Sequence, residues 1–311
     1  MKRRNENRRR PSERQVALAI DIGGTNLRVA MVSRNGTILG QRSEPTPRGR
    51  AEKAILAQII RLTRNLFSIG RKIKGIGVSV PGFLDRSGST VSYSPNFPNW
   101  RNVQLAKSFR RELQIPCYLE NDGNCAALGE HWKGAARGLS DVVFLTLGTG
   151  VGGGILMNGH LVRGARGGGA ELGHIIVDPR GHLCGCGNRG CLEAMASGTA
   201  MKRRTGRSAE ELFRRSRGGD RRALRTFEEM GRALASGIAS LAFCLDPDLV
   251  VVGGNLSHAF SAFAPAMKRE LRRRLRNHPA RNLEVVRGRY PNDASLLGAA
   301  YLVFAGGNRR A

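Results

Sequence analysis

QVALAIDIGGTNLRVAMVSRNGTILGQRS fills residues 15–43, and DVVFLTLGTGVGGGILMNGHLV fills residues 141–162. Each begins as an apolar run that ends in a glycine turn, the signature of a buried strand entering a hairpin. Each continues as a second strand, an Asn-Gly turn (Asn35-Gly36, Asn158-Gly159) and a third strand. The two meanders lie about 127 residues apart. Between them, residues 51–68 carry apolar residues at helical spacing (Ala54, Ile55, Ile59, Leu62, Leu66, Phe67). A strand in KIKGIGVSVPG (72–82), a helix at 103–113, a strand at 116–120 and a helix from about Asn121 follow. After the second meander come a helix at 224–245, the strand LVVVGG (249–254), a helix at 259–276, a strand near 283–286 and a last helix at about 294–305. The pattern predicts an α/β chain built by duplication of a β-β-β-α-β unit, with two lobes facing across a cleft. The expected division is a basic, disordered tail (1–14), a small lobe (15–121 plus 294–311) and a large lobe (122–293).

Composition excludes several classes. The chain has 311 residues and a net charge of +27, with 51 Lys plus Arg against 24 Asp plus Glu. Its 41% hydrophobic content is that of a globular chain. The longest stretch free of Lys, Arg, Asp and Glu, Val142 to Val162, carries six glycines, which reads as strand and loop rather than a membrane span. The apolar run after the basic N-terminus is too short for a secretory signal, and the expected location is cytoplasmic. The arginine excess lies in the tail and in segments 202–225 and 268–276, with no interleaved aromatics of the kind a single-strand binder uses. It is read as solvated surface, with no specific nucleic acid and no membrane as partner.

Two glycine turns carry chemistry. In DIGGTN (21–26), backbone amides between two strands can face phosphate oxygens, and Gly23 and Gly24 remove the side chains that would block approach. Asp21 at the strand end can meet Mg²⁺, directly or through water; the bland alternative is a tight hairpin. LGTGVGGG (147–154) offers six consecutive amides, with five glycines in the seven residues from 148. It lacks both the spacing of a P-loop and the helix that follows a Rossmann turn.

Six motifs in this order, DIGGTN, Pro81-Gly82, ENDGN (120–124), GTGVGGG (148–154), ELGH (171–174) and CGCGNRGC (184–191), resemble the ROK family of sugar kinases. SPNFPNW (94–100) and LENDGNCAALGE (119–130) make the resemblance strongest to its bacterial glucokinases. The resemblance spans about 15–305 and implies a two-lobed actin/hexokinase-like fold, ribonuclease H-like in each lobe, with nucleotide in the cleft. It departs from the family pattern at Gly123, where the usual residue is alanine.

The resemblance implies roles residue by residue. Asp122 would take the proton from the attacking sugar hydroxyl; as a residue alone it also fits a helix N-cap. Gly82, Asn96, Asn121, Glu171, His174 and Glu193 would contact the sugar. Asp21, Gly23, Gly24, Thr25 and Asn26, then Gly148, Thr149, Gly150 and Gly152, then Gly253 and Gly254, would contact ATP and its Mg²⁺. His174, Cys184, Cys186 and Cys191 give H-x9-C-x-C-x4-C, three thiolates and an imidazole suited to a structural Zn²⁺ held by loop 174–191. Cys117, Cys125 and Cys244 sit in apolar runs and read as core. The implied activity is ATP-dependent phosphorylation of a hexose at its 6-hydroxyl, glucose first, in a homodimer. The alternatives are another hexose or an N-acetylhexosamine as acceptor, polyphosphate as donor and, more distantly, a ROK-type transcriptional repressor. Against the repressor, the residues before Asp21 show no apolar helix periodicity.

Overall fold

The computed structural model describes residues 15–49, 51–64, 66 and 72–307. The expected tail and Phe67 lie outside the described residues. The chain divides into two compact units, each with its own sheet and core.

The first unit runs to Lys133 and also takes Arg163–Gly169 and the chain from Asp293 onward. Its strands are β1 (Gln15–Ile22), β2 (Asn26–Ser33), β3 (Ile38–Pro45), β4 (Lys72–Val80), β5 (Phe83–Leu84), β6 (Val91–Tyr93), β7 (Arg101–Val103) and β8 (Cys117–Asn121). Its helices are α1 (Glu52–Arg64), α2 (Leu105–Leu113), α3 (Asp122–Lys133) and, from the end of the chain, α9 (Ala294–Phe304). The main sheet has the order β3-β2-β1-β4-β8, and β5-β6-β7 form a small second sheet. β1 pairs antiparallel with β2 and parallel with β4, so it is central, and every residue from Val16 to Ile20 is fully buried. A continuous apolar run is what such a strand needs.

The second unit contains β9 (Val142–Leu147), β10 (Val151–Met157), β11 (His160–Leu161), β12 (Leu249–Gly253) and β13 (Glu284–Arg287). Its helices are α4 (Leu192–Ala196), α5 (Gly198–Thr205), α6 (Ala209–Arg217), α7 (Arg221–Leu245) and α8 (Phe260–Arg274). The sheet order is β11-β10-β9-β12-β13. In both units the order is third-second-first-fourth-fifth, with an antiparallel meander and two parallel additions. This is the duplicated α/β plan that the two meanders predict. The two Asn-Gly turns differ in detail. Asn158 and Gly159 both have positive φ, as a two-residue hairpin with matching twist requires, whereas in the first meander only Gly36 does.

The boundary differs from the expected one. β8 runs directly into α3, and the division falls after Lys133 instead of before Asp122. The reason is backbone-close packing of α3 and α9. A Cβ on Gly129 would stand 2.0 Å from the Ala294 carbonyl oxygen, and one on Gly298 would stand 1.7 Å from that of Cys125. On the other side of α9, Gly77 of β4 admits the Ala299 carbonyl in the same way. Cys117 and Cys125 are buried as expected, while Cys244 is exposed near the end of α7, a correction to its reading as core.

Candidate functional site

In the first unit, β1, β4 and β8 are neighbouring parallel strands, so their carboxyl ends share one edge of the sheet. Open α/β sheets place ligands at that edge. Asp21 is in register with Ser79, and Ser79 with Glu120. Beyond this row lie the turn 23–25, Gly82 and the Asn121-Asp122 step.

The turn is tight. The Gly23 N–H donates to the Asn26 carbonyl at 2.9 Å, and a Cβ on Gly24 would meet Asn96 Nδ2 at 2.9 Å. Asn96 thus lies over the turn, on a loop anchored by the buried, stacked Phe97 and Trp100 rings. Gly82 has φ of +115°, and a Cβ there would stand 2.3 Å from the Tyr93 carbonyl, so only glycine fits. Its own carbonyl accepts from Asn121 Nδ2 at 3.2 Å. Asn121 Oδ1 accepts the N–H groups of Gly123 and Asn124, at 2.8 and 3.2 Å. The N-cap role open to Asp122 therefore falls to Asn121. Asp122, the first residue of α3, is exposed at the helix N-terminus, where a carboxylate is favoured.

Asp21 is more engaged than the sequence suggests. Both Nε and Nη2 of Arg28 donate to its Oδ2, at 3.0 and 2.6 Å, and Ser79 Oγ donates to its Oδ1 at 2.8 Å. Arg28 continues to Asp293 and Ser295 at the start of α9. No sequence motif flags Arg28, a half-buried residue between the buried Leu27 and Val29 of β2.

In the second unit the glycine turn is shorter than expected. β10 begins at Val151, opposite Leu147, and Gly152, Gly153 and Gly154 are paired in the ladder with β9. The six-amide cradle reduces to the turn 148–150, in which the Gly148 N–H already donates to the Gly150 carbonyl. The strand glycines serve packing: a Cβ on Gly153 would strike Leu172 at 2.5 Å. Gly150 admits the Glu193 carboxylate, whose Oε2 accepts the Val151 N–H at 3.0 Å. Gly253 and Gly254 close β12 beside β9, with Gly254 at φ +77°.

Glu171 precedes a 3-10 turn, Leu172–His174, that buries Leu172 and Gly173. Glu171 itself is an exposed residue. Desolvation of its carboxyl by partial burial lifts its pKa above the ordinary value; His174 opposes the rise, and the nearby Glu193 charge adds to it.

One ligand atom from each of His174, Cys184, Cys186 and Cys191 falls within 4.8 Å of the others. Cys186 Sγ lies 3.6 Å from Cys191 Sγ, and Cys184 Sγ lies 3.6 Å from His174 Nδ1. A disulfide would need about 2.05 Å. The edge of a tetrahedron with ~2.3 Å metal–sulfur bonds is about 3.8 Å. The four residues fit a zinc ion. Positive φ at Gly187 and Gly190 turns the loop around them, and a Cβ on Gly190 would stand 1.5 Å from the Asp178 carbonyl.

The ROK family profile matches residues 17–305. The chain belongs to the ROK family. It is 36% identical over 306 residues to a glucokinase of Thermotoga maritima, covering 92% of this chain and 96% of that one. It is 33% identical over 294 residues to an N-acetylmannosamine kinase of Escherichia fergusonii, covering 92% of this chain and 97% of the relative. Among solved structures it superposes on the ROK family glucokinase of Streptomyces griseus in complex with glucose and AMPPNP. That match has a TM-score of 0.82 and 32% identity, covering 94% of this chain and 100% of the other. This ROK chain carries two features that its motifs do not announce, the Asp21–Arg28 pair and an ion pair between Glu120 and Arg163.

Proposed function

We propose that this ROK protein transfers the γ-phosphoryl group of ATP to the 6-hydroxyl of glucose, with Asp122 as general base. The observation that carries the reading is the placing of an exposed carboxylate at the carboxyl end of β8, beside Gly82 and Asn121 and on the edge that also bears the DIGGTN turn. A carboxylate there accepts the proton of the attacking hydroxyl as the hydroxyl oxygen bonds to phosphorus. Gly82, Asn96, Asn121, Glu171, His174 and Glu193 are the sugar ligands in this reading. Vicinal hydroxyls are matched by carboxylate, amide and imidazole partners, and an acceptor lacking them is rejected.

The turns 23–26 and 148–150 would hold the nucleotide phosphates, with Gly152 beside the second turn and Gly253 and Gly254 toward the adenosine. Bound Mg²⁺-ATP would supply the phosphoryl group and neutralise charge on it; Asp21, held in place by Arg28 and Ser79, would be the carboxylate that meets the ion. His174, Cys184, Cys186 and Cys191 would hold zinc, whose part is to fix the loop and the His174 ring. We further propose a homodimer, which sedimentation of the purified chain reads directly, and a cytoplasmic location. Among the described residues no helix is long and apolar enough to cross a membrane.

The test is Asp122→Asn. Turnover should fall by ~10²–10⁴-fold while sugar affinity changes little. Turnover within a few-fold of the wild type would remove Asp122 from the chemistry. The competing acceptor is an N-acetylhexosamine, favoured by the N-acetylmannosamine kinase relative.

A further inference from the structure

After β11 the chain does not stay with the second unit. Residues 163–169, RGARGGG, join the first unit before the chain reaches Glu171 two residues on. The segment closes on itself, the Gly169 N–H donating to the Arg163 carbonyl at 2.8 Å. It lies against β5: a Cβ on Gly167 would stand 2.5 Å from the Leu84 carbonyl, and one on Gly168 would touch the Phe83 ring. At its start, Arg163 Nε donates to Glu120 Oε2 at 2.8 Å. Glu120 is 2% exposed. Its other oxygen, Oε1, accepts the Asn121 backbone N–H and Asn124 Nδ2, both at 3.1 Å.

One buried carboxylate therefore holds two things at once. One oxygen fixes the backbone at the Asn121-Asp122 step, and the other fixes the strap that leads into Glu171. We propose that the Glu120–Arg163 pair is a positioning device for sugar, setting the Asn121-Asp122 step and the strap ahead of Glu171 against a common anchor. Neither residue touches sugar in this account; both act through the segments they hold. The inference rests on the reading of Asn121, Asp122 and Glu171 as sugar-site residues. An ion pair with a buried carboxylate is a poor source of stability for its own sake, because desolvation of Glu120 offsets its attraction, so a role in geometry suits it.

The experiment measures hexose affinity by calorimetry without nucleotide, then KM for hexose and for ATP, on the full chain. Four variants are compared with the wild type. Arg163→Met leaves a buried carboxylate without its ion partner and is the one most prone to misfold. Glu120→Gln keeps the size, and its stranded Arg163 can reach solvent. The double variant Arg163→Met/Glu120→Gln removes both charges, so it strands none. Glu120→Gln and the double variant should each weaken hexose binding by about tenfold, with KM for ATP unchanged. The double variant should be no worse than the single one, because both break the same link. Arg163→Lys, which keeps a cation facing Glu120, should bind hexose more tightly than Arg163→Met.

Hexose affinity within twofold of the wild type in both Glu120→Gln and the double variant would overturn the proposal. Equal rises in KM for hexose and ATP would do the same, since they indicate general loosening. A wild-type chain that binds no hexose would remove the sugar-site reading together with this one. Normal hexose binding with an active Asp122→Asn would remove only the base assignment.

Discussion

At the scale of residues, the site is a set of side chains whose orientation is fixed by hydrogen bonds to the backbone. Asn121 caps α3 and holds the Gly82 carbonyl, and Asp122 is the residue this leaves at the helix start. Glu193 joins the second glycine turn through the Val151 N–H, and its Oε1 stands 3.8 Å from Cys184 Sγ. That contact gives a metal prediction. One Zn²⁺ per chain should be found by elemental analysis, and Cys186→Ser should lose it and raise KM for sugar. A zinc-free wild type from a metal-replete preparation, with normal sugar affinity, would refute this. The cysteines and both glycine turns are legible in the sequence because their spacing is short, whereas Asp122 is singled out only by the resemblance that ENDGN carries. Arg28 and Arg163 are not legible. Their partners lie 7 and 43 residues away, and an arginine among 51 Lys and Arg residues carries no signal of its own.

At the scale of elements, what decides the fold is how closely helices approach strands and one another. α9 sits on α3 and β4 through Gly129, Gly298 and Gly77, each facing a carbonyl too near for a methyl group. Gly298→Ala should destabilise the chain by about 1–3 kcal/mol, the usual cost of overpacking, read as a lower denaturant midpoint. An unchanged midpoint would mean that α9 can move away. On α8, Arg273 and then Arg274 hydrogen-bond Glu270 and hold its pKa down to about 2. The unfolded value is about 4.3. A depressed carboxylate adds stability above the unfolded value and loses it as pH falls through the folded one. The stability gap between wild type and Glu270→Gln should therefore be present at pH 7, close between about pH 4 and 2, and narrow in salt, because Arg273 is well exposed. A gap that persists at pH 2 would contradict the assignment. The meanders, β4, α7 and β12 follow from periodicity alone. The β5-β6-β7 sheet does not, because strands of two or three residues leave no periodic trace.

At the scale of the whole molecule, the same five-stranded plan occurs twice, and the two glycine turns fall at equivalent places in the two copies. Duplication is visible in sequence because the buried central strands β1 and β9 must both be continuously apolar. The unit boundary is not visible, since it depends on which helix α9 packs against. The charge of +27 is the other global feature. Part of it is neutralised locally along α6–α8, where Arg207 pairs with Glu211, Arg215 with Asp220 and Arg225 with Glu229. Deleting residues 1–14 removes seven Lys or Arg and two Glu, a net 7 − 2 = +5. It should leave kcat unchanged and reduce salt-sensitive retention on DNA, as expected of nonspecific phosphate contacts. Loss of kinase activity on truncation, or retention of one DNA sequence against competitor at physiological salt, would contradict a surface role for the charge. The reaction itself is tested most directly by assaying the wild-type chain on a panel of hexoses and N-acetylhexosamines, with ATP and with polyphosphate as donors. The account predicts the highest kcat/KM for glucose with ATP, with glucose 6-phosphate as product. Turnover of an N-acetylhexosamine in preference to glucose, activity with polyphosphate alone, or no phosphorylation of any sugar would contradict it.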